Sequence, residues 1–131
     1  MMTVPAHLRY SAGHTWLDQT GDPVTVGLTK HAADGMRYIV YVQLPDIGAE
    51  LTVGQPCGSV ESSKTASDVD APASGVVLAV NAALRADPSL VNRDPFGAGW
   101  LFRIRVTDLG ATMTAEEYAK LMQVPFPDSV C

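Results

Sequence analysis

Lys64 is the side chain of this sequence whose position is best suited to chemistry. It lies within Ser62-Ser63-Lys64-Thr65-Ala66-Ser67, a run of small and polar residues. Their hydroxyl groups bond nearby backbone groups and favour a turn, which predicts a hairpin with strands at Gly58–Glu61 and Asp68–Asp70. Lys64 would then stand at or near the tip, without a bulky neighbour to bury it. Because a lone lysine on such a loop is most often a solvated surface charge, its role depends on the pattern of the surrounding chain.

The other reactive residue types lack a partner in any recognised arrangement. Cys57 precedes Gly58 at the start of the predicted strand, and we expect it to be a small buried hydrophobe. No histidine is placed to activate its thiol, and His7, His14 and His31 do not have the spacing of metal ligands. We therefore expect neither a catalytic cysteine nor a metal site, and no acid–base pair or nucleophile motif indicates an enzyme.

The composition limits the class of protein and its partners. The chain has 131 residues, of which 47% are hydrophobic, and this is typical of one folded domain. A net charge of −5 and a pI near 4.9 argue against nucleic-acid binding, and no apolar run is long enough to cross a bilayer. The N-terminus has neither the apolar core of a signal peptide nor the composition of a transit peptide. We expect a cytoplasmic monomer, with a processed mature matrix protein as the alternative.

Short strands separated by glycine and proline turns dominate the chain. Besides the hairpin, the predicted strands are His7–Tyr10, Thr15–Asp18, Val24–Leu28, Tyr38–Leu44, Glu50–Val53, Val76–Val80 and Trp100–Val106. Tyr38–Leu44 is a continuous β-rich run, which predicts a well-buried strand, and Ala71–Gly75 is predicted as a break in the strand pattern. Many short strands of this kind are typical of a small β-sandwich or barrel.

Two helical segments are predicted from capping signals. Thr29 can cap a short helical turn through residues 31–34, which Gly35 would end. Thr114 and Glu117 fit a capping box, and a helix from about 115 to 123 follows. Its predicted inward residues are Tyr118, Leu121 and Met122. We also expect the aromatic ring of Trp16 to anchor the core.

The segment Val60–Gly75 resembles the lipoyl-attachment region of the glycine cleavage H-protein family. Further blocks resemble the same family in the same order along the chain, and together they cover roughly residues 7–122. These blocks are His14–Trp16, Val26–Thr29, Tyr41–Pro45, Pro88–Asn92, Asp94–Leu101 and Ala115–Tyr118. Several separate blocks in the right order make the resemblance specific, unlike a single short motif.

The resemblance implies a mainly β fold of the lipoyl/biotinyl type. This fold is a flattened barrel-sandwich of two small antiparallel sheets, with short helical turns and a C-terminal helix. Residues 1–131 would form one lipoyl-carrier domain, with an N-terminal extension at 1–22 and the helix at about 115–123 packed on it. In keeping with that family, the lipoyl group would be joined through an amide to Lys64.

The resemblance also implies roles for other residues. Glu61 and Gly75 would matter for recognition by the lipoylating enzyme, although they could equally be an ordinary strand residue and an ordinary turn residue. Asp68 matches an acidic family position near the lipoyl arm, and His14 and His31 are further candidates for the cleft that holds it. Thr15 stands where the family usually has glutamate, so it keeps an oxygen acceptor without the charge.

The partners implied by the resemblance are the components of one multi-enzyme system. A glycine decarboxylase (P-protein) would load an aminomethyl group on the arm, an aminomethyltransferase (T-protein) would accept it, and a dihydrolipoyl dehydrogenase (L-protein) would reoxidise the arm. A lipoyl ligase or lipoyltransferase would attach lipoate. The chain would then be a carrier and not an enzyme.

Three alternatives remain open at the level of the sequence. Gly35 and Arg37 also depart from the residues usual in the family, which leaves open an H-like protein that mainly stores or relays lipoyl groups. A biotin carrier is disfavoured because Ser63 and Thr65, and not methionines, flank Lys64. The third alternative is an interaction module whose lysine is never modified.

Overall fold

The computed structural model describes residues 5–11, 13–21, 23–109 and 112–122. Within these ranges the chain forms nine strands and four helices. The strands are β1 (Arg9–Tyr10), β2 (Thr15–Asp18), β3 (Val24–Leu28), β4 (Ile39–Gln43), β5 (Glu50–Leu51), β6 (Pro56–Ser62), β7 (Ala66–Asp70), β8 (Ala73–Val80) and β9 (Phe102–Leu109). The helices are α1 (Lys30–Met36), α2 (Ala83–Ala86), α3 (Leu90–Arg93) and α4 (Ala115–Met122).

The strands form two antiparallel sheets, which confirms the mainly β fold predicted from the sequence. One sheet has six strands in the order β1-β2-β3-β9-β8-β5, and the other has three in the order β4-β6-β7. The two sheets are therefore unequal, because the long pairing of β8 with β9 joins the N-terminal strands to β5 in one sheet. The hairpin that carries Lys64 belongs to the smaller sheet.

One apolar core lies between the sheets and fixes the base of the hairpin. Val60 of β6 and Val69 of β7 are buried in it together with Val77 of β8 and Ile104 of β9. These β-branched residues suit the pleated surface of a sheet. The hairpin strands are thus fixed at one end while their connecting turn stands clear of the core.

The C-terminal helix packs against the N-terminal strands through a second, aromatic cluster. The rings of Tyr10 and Tyr118 are stacked with centroids 4.7 Å apart. The predicted capping box is confirmed, since Thr114 N donates to Glu117 Oε1 at 2.8 Å and Glu117 N donates to Thr114 Oγ1 at 3.2 Å.

The prediction that Leu121 faces inward was wrong, because its side chain is 55% exposed. The side chain of Met122, also predicted to face inward, and Gln123, the predicted last residue of the helix, lie outside the part of the chain that the structure describes.

Trp16 is an anchor of the same cluster, as predicted. Its ring is buried, and Nε1 donates to the carbonyl oxygen of Pro95 at 2.9 Å. The indole lies against Gly27, where a Cβ atom would stand 2.5 Å from the ring. The glycine on β3 therefore leaves the space that this large side chain occupies.

Strand β4 differs from its prediction as a well-buried strand. Only Ile39 and Val42 are buried, while Tyr38 just before the strand is 83% exposed, Val40 56% and Tyr41 51%. The reason is that only one face of the three-stranded sheet covers the core, as the burial of Val60 on β6 and Val69 on β7 also shows. The register irregularity between Ile39 and Tyr41 leaves both Val40 and Tyr41 exposed. Its apolar sequence therefore predicted a strand correctly but not which residues are covered.

The segment around Gly75 also differs from its prediction. It was expected to break the strand pattern, but β8 begins at Ala73 and Gly75 lies within it, paired with Leu51 on one side and Val106 on the other.

None of the helices in the described ranges is long and apolar enough to cross a membrane.

Candidate functional site

The Lys64 turn is a tight connection organised by one serine. Ser62 N donates to the carbonyl oxygen of Thr65 at 2.8 Å. The Ser62 hydroxyl oxygen accepts from Lys64 N at 3.3 Å and from Thr65 N at 3.2 Å. A serine that bonds the backbone in this way stabilises a turn. Lys64 is exposed at its tip, as predicted, and none of the ion pairs among the described residues involves its ammonium group.

A cavity of about 530 Å³ lies beside this turn. Its walls are the turn itself, the last two residues of α1 and the two residues that follow this helix. They are formed by Gly35, Met36, Arg37, Tyr38, Ser62, Ser63, Lys64 and Thr65. Gly35 leaves this wall open, because a Cβ atom there would meet nothing within 4 Å.

A second cavity of about 190 Å³ adjoins the first, since Gly35 and Met36 line both. It lies between α1, the end of the β1–β2 connection and strand β7. Its other lining residues are Gly13, His14, Leu28, His31, Ala32, Val60, Ser67 and Asp68. The two cavities together form a groove that leads from Lys64 to a polar end with two imidazoles and a carboxylate.

A hydrogen-bonded chain holds one of these imidazoles in place. The Tyr118 hydroxyl donates to Thr29 Oγ1 at 2.9 Å, so the contact of 2.8 Å between His14 Nδ1 and that hydroxyl assigns the Nδ1 proton to His14. In the neutral ring, Nε2 is then the acceptor. Burial lowers the pKa of His14, and the neighbouring His31, whose ring centroid is 4.8 Å away, lowers it further. Both effects favour the neutral imidazole.

The sequence singled out four candidates for the arm cleft, and the structure brings three of them together. His14, His31 and Asp68 line the second cavity. Thr15 does not, because its side chain is fully buried and its hydroxyl lies 2.6 Å from that of Ser11. Thr15 therefore supports the β1–β2 connection and does not face the groove.

The two residues expected to guide recognition lie in different sheets. Glu61 is partly exposed on β6, opposite Tyr41 of β4 and Ala66 of β7, one residue before the turn begins. Gly75 is buried in the six-stranded sheet, where a Cβ atom would stand 2.1 Å from the carbonyl oxygen of Arg105. The local role of Gly75 in this structure is to let β8 approach β9 closely.

Tyr118 is a polar member of the site that sequence reasoning missed. The helical pattern predicted it as an inward core residue, and it is buried, but its hydroxyl also links Thr29 to His14. The sequence did offer one indication, since the hydroxyl group of a buried tyrosine usually has a hydrogen-bond partner. The pattern could not identify that partner, because His14 lies 104 residues away.

Cys57 has no role in the groove. Its Sγ atom donates to the carbonyl oxygen of Val69 at 3.3 Å. Burial, with a smaller contribution from Asp70, raises the pKa of the thiol to about 12. The side chain is therefore a thiol at neutral pH and not a nucleophilic thiolate. Among the described residues, no group of three or more histidine, cysteine or acidic side chains could hold a metal ion.

The end of α1 places an unusual residue on the wall of the Lys64 cavity. Thr29 caps the helix as predicted, but the helix does not end at Gly35 and continues to Met36, whose side chain is buried in the core. Arg37 follows with φ 64° and ψ −113°, which are close to the angles of the first central residue of a type II′ turn, a position that favours glycine. Asn92 holds this segment, because its amide nitrogen donates to the carbonyl oxygens of Ala33 and Arg37.

Arg37→Gly should stabilise the fold. A non-glycine residue in this region costs about 1–3 kcal/mol, whereas the added freedom of glycine in the unfolded chain costs about 0.5–1 kcal/mol. We expect the free energy of unfolding to rise by about 1 kcal/mol, measured by urea denaturation. Arg37→Ala is the matched control, since it removes the same exposed side chain but keeps the unfavourable φ. Equal stability of the two variants would contradict this account.

The fold and the site together define a class of protein. Two antiparallel β-sheets present one exposed lysine on a tight hairpin, next to a groove. These features are those of a carrier domain, whose lysine must be accessible to several partners in turn.

Comparisons with known proteins identify the family. The family model of the glycine cleavage H-protein matches residues 8–124, and the chain belongs to this family. It is 48% identical over 120 residues to the glycine cleavage system H protein of Beutenbergia cavernae, covering 92% of this chain and 97% of that protein. It is also 48% identical over 119 residues to that of Streptomyces coelicolor, covering 89% and 95%.

A solved structure agrees with the fold. The crystal structure of a glycine cleavage system H protein from Mycobacterium marinum is similar with a TM-score of 0.88 and 41% sequence identity. The similarity covers 92% of this chain and 100% of that chain. The chain is therefore a carrier component of the glycine cleavage system, as the sequence resemblance predicted.

Proposed function

We propose that Lys64 carries a lipoyl group in amide linkage and that the groove beside it receives the arm. The observation that carries this proposal is the position of Lys64, which is exposed at the tip of the Ser62–Thr65 turn beside a cavity of about 530 Å³. When bound, the lipoyl group supplies a dithiolane that accepts an aminomethyl group and is later returned to its oxidised form. Amide formation would remove the positive charge of the lysine, and the apolar side chain of Met36, which lines the same cavity, would suit an uncharged arm.

The residues of the chain fit such an arm. The hairpin is fixed in the core by Val60 and Val69, so the root of the arm has a defined position while its length can move. A tethered arm keeps its tip at high effective concentration near a docked partner. At the far end of the groove, the neutral imidazole of His14 and the carboxylate of Asp68 are acceptors for an amine.

The partners follow from the same proposal. Glycine decarboxylase, aminomethyltransferase and dihydrolipoyl dehydrogenase would each enclose the arm, and a lipoyl ligase or lipoyltransferase would attach it. Glu61, next to the turn, is the better placed of the two residues proposed for recognition by the attaching enzyme. The single domain with its N-terminal extension and the cytoplasmic location expected from the sequence belong to this proposal as well.

Intact mass after expression with lipoate and a lipoate ligase tests the attachment. We expect an increase equal to one lipoyl group, located at Lys64 by peptide mapping. The loaded protein should then support glycine decarboxylation by a purified glycine decarboxylase. An unmodified chain would instead indicate an interaction module, and a lipoylated chain that is inactive with the decarboxylase would indicate a relay or storage carrier.

A further inference from the structure

The surface next to the Lys64 cavity is unusually apolar and contains one unpaired cation. Four of the six large apolar residues that are exposed in the described ranges lie between positions 38 and 47, namely Tyr38, Val40, Tyr41 and Ile47. Clustering of exposed apolar residues on one segment is typical of an interaction surface. We define the Arg37 patch as Arg37, Tyr38, Val40 and Tyr41.

The Arg37 patch joins two cavities. Arg37 and Tyr38 line the cavity beside Lys64. Val40 and Tyr41 line another cavity of about 560 Å³ along the outer edge of β4. Because β4 pairs only with β6, its other edge borders this cavity, whose opposite wall includes Leu84 and Arg85 of α2.

The charge next to Lys64 specifies the chemistry of that molecule. The only charged residues lining the 530 Å³ cavity are Arg37 and Lys64, both cationic, and no described residue forms an ion pair with Arg37. In the proposed function Lys64 loses its charge on acylation, so Arg37 becomes the one charged residue among those that line this cavity. A guanidinium in this position is suited to a carboxylate, which it can bind through two parallel hydrogen bonds.

The backbone conformation of Arg37 is consistent with a functional role for its side chain. Arg37 adopts a φ of 64°, which glycine would adopt without strain. Strained backbone that persists tends to occur at functional sites. Arginine and tyrosine, which are adjacent here, are also the residue types enriched among those that dominate binding at interfaces.

We propose that the Arg37 patch is the docking surface for glycine decarboxylase when it encloses the arm, and that Arg37 binds a carboxylate at the rim of that enzyme's active site. This inference rests on the proposed function. The occupant is a protein surface and not a small anion, because the apolar residues continue along β4 beyond the reach of a phosphate bound at Arg37. A partner with an apolar surface edged by an aspartate or glutamate fits both parts of the patch.

The test compares Arg37→Glu with Arg105→Glu in the lipoylated protein. Arg105 is exposed on β9 of the other sheet, so the control makes the same change in net charge. With a purified glycine decarboxylase, Arg37→Glu should raise the KM for the lipoylated protein about tenfold, the size expected for one dominant contact. The kcat should change little, because a docking contact acts equally before and during the chemical step. Arg105→Glu should leave both values unchanged.

Other results of this experiment would overturn either the docking proposal alone or the proposed function together with it. Equal effects of Arg37→Glu and Arg105→Glu would show a response to net charge only and overturn the proposal. An unchanged KM, together with slower lipoylation of Arg37→Glu from lipoyl adenylate, would assign Arg37 to the phosphate of the acyl donor and also overturn it. If the wild-type chain takes no lipoate, the proposed function fails and the docking proposal fails with it. If the wild type is lipoylated and active, and Arg37→Glu has the same KM and kcat, the docking proposal is overturned while the proposed function stands.

Discussion

Replacing Lys64 with arginine is expected to abolish lipoylation and, with it, all glycine decarboxylation supported by this protein. Arginine preserves the positive charge and most of the length of the side chain, but its guanidinium is always protonated and does not form the amide. Lys64 is exposed on a turn whose hydrogen bonds come from Ser62 and the backbone. The free energy of unfolding should therefore stay within about 0.5 kcal/mol of the wild type.

The chain offers a matched control for this substitution. The sequence has two other lysines, Lys30 and Lys120, and each is paired with an acidic residue four positions away on a helix. Lys120→Arg should leave the added mass and the decarboxylation rate unchanged. A lipoyl mass that persists in Lys64→Arg would place the attachment elsewhere and contradict the assignment of the site.

The hairpin was predictable because its determinants are local. Serine and threonine hydroxyls bond backbone groups two or three residues away, and Ser62 does this with Lys64 and Thr65. The capping residues Thr29 and Thr114 were predictable for the same reason, since each bonds a backbone group in the first turn of its own helix. Hydrogen bonds between residues this close in sequence can be predicted from the sequence itself.

The polar end of the groove was not predictable from pattern alone. His14 meets Tyr118 across 104 residues, and the hydrogen bond between Tyr118 and Thr29 spans 89. Such contacts depend on which strands pair and on how α4 packs against them. Thr15 shows the consequence, because its neighbour along the chain lines the groove while its own side chain is buried beside Ser11.

Exposure of a strand is likewise a property of the sheet and not of the strand. The sequence of β4 is apolar enough for a strand that is covered on both faces, but β4 belongs to a three-stranded sheet of which only one face lies on the core. Tyr41 is exposed on this strand, and Tyr38 is exposed just before it. The residues that the sequence assigned to the core thus form the surface on which we place partner docking.

Gly75→Ala is expected to be among the most destabilising single changes in the protein. A Cβ atom at position 75 would stand 2.1 Å from the carbonyl oxygen of Arg105, 2.9 Å from its carbon and 3.0 Å from Cγ1 of Ile104. The nearest atoms belong to backbone that pairs with β8, so they cannot rotate away as a side chain could. Separating the two strands should cost about 3 kcal/mol, a large share of the stability of a small domain.

Urea denaturation of Gly75→Ala and Gly35→Ala separates this steric effect from a general effect of losing glycine. Gly35 lies within α1 with nothing within 4 Å of a Cβ atom, so its replacement by alanine should stabilise the helix by about 0.5–1 kcal/mol. The same pair of variants tests the role in lipoylation that the family resemblance implied for Gly75. A Gly75→Ala protein as stable as the wild type but poorly lipoylated would refute the steric account and support recognition. A protein that is destabilised, yet lipoylated at the wild-type rate while folded, would show that this glycine serves the sheet.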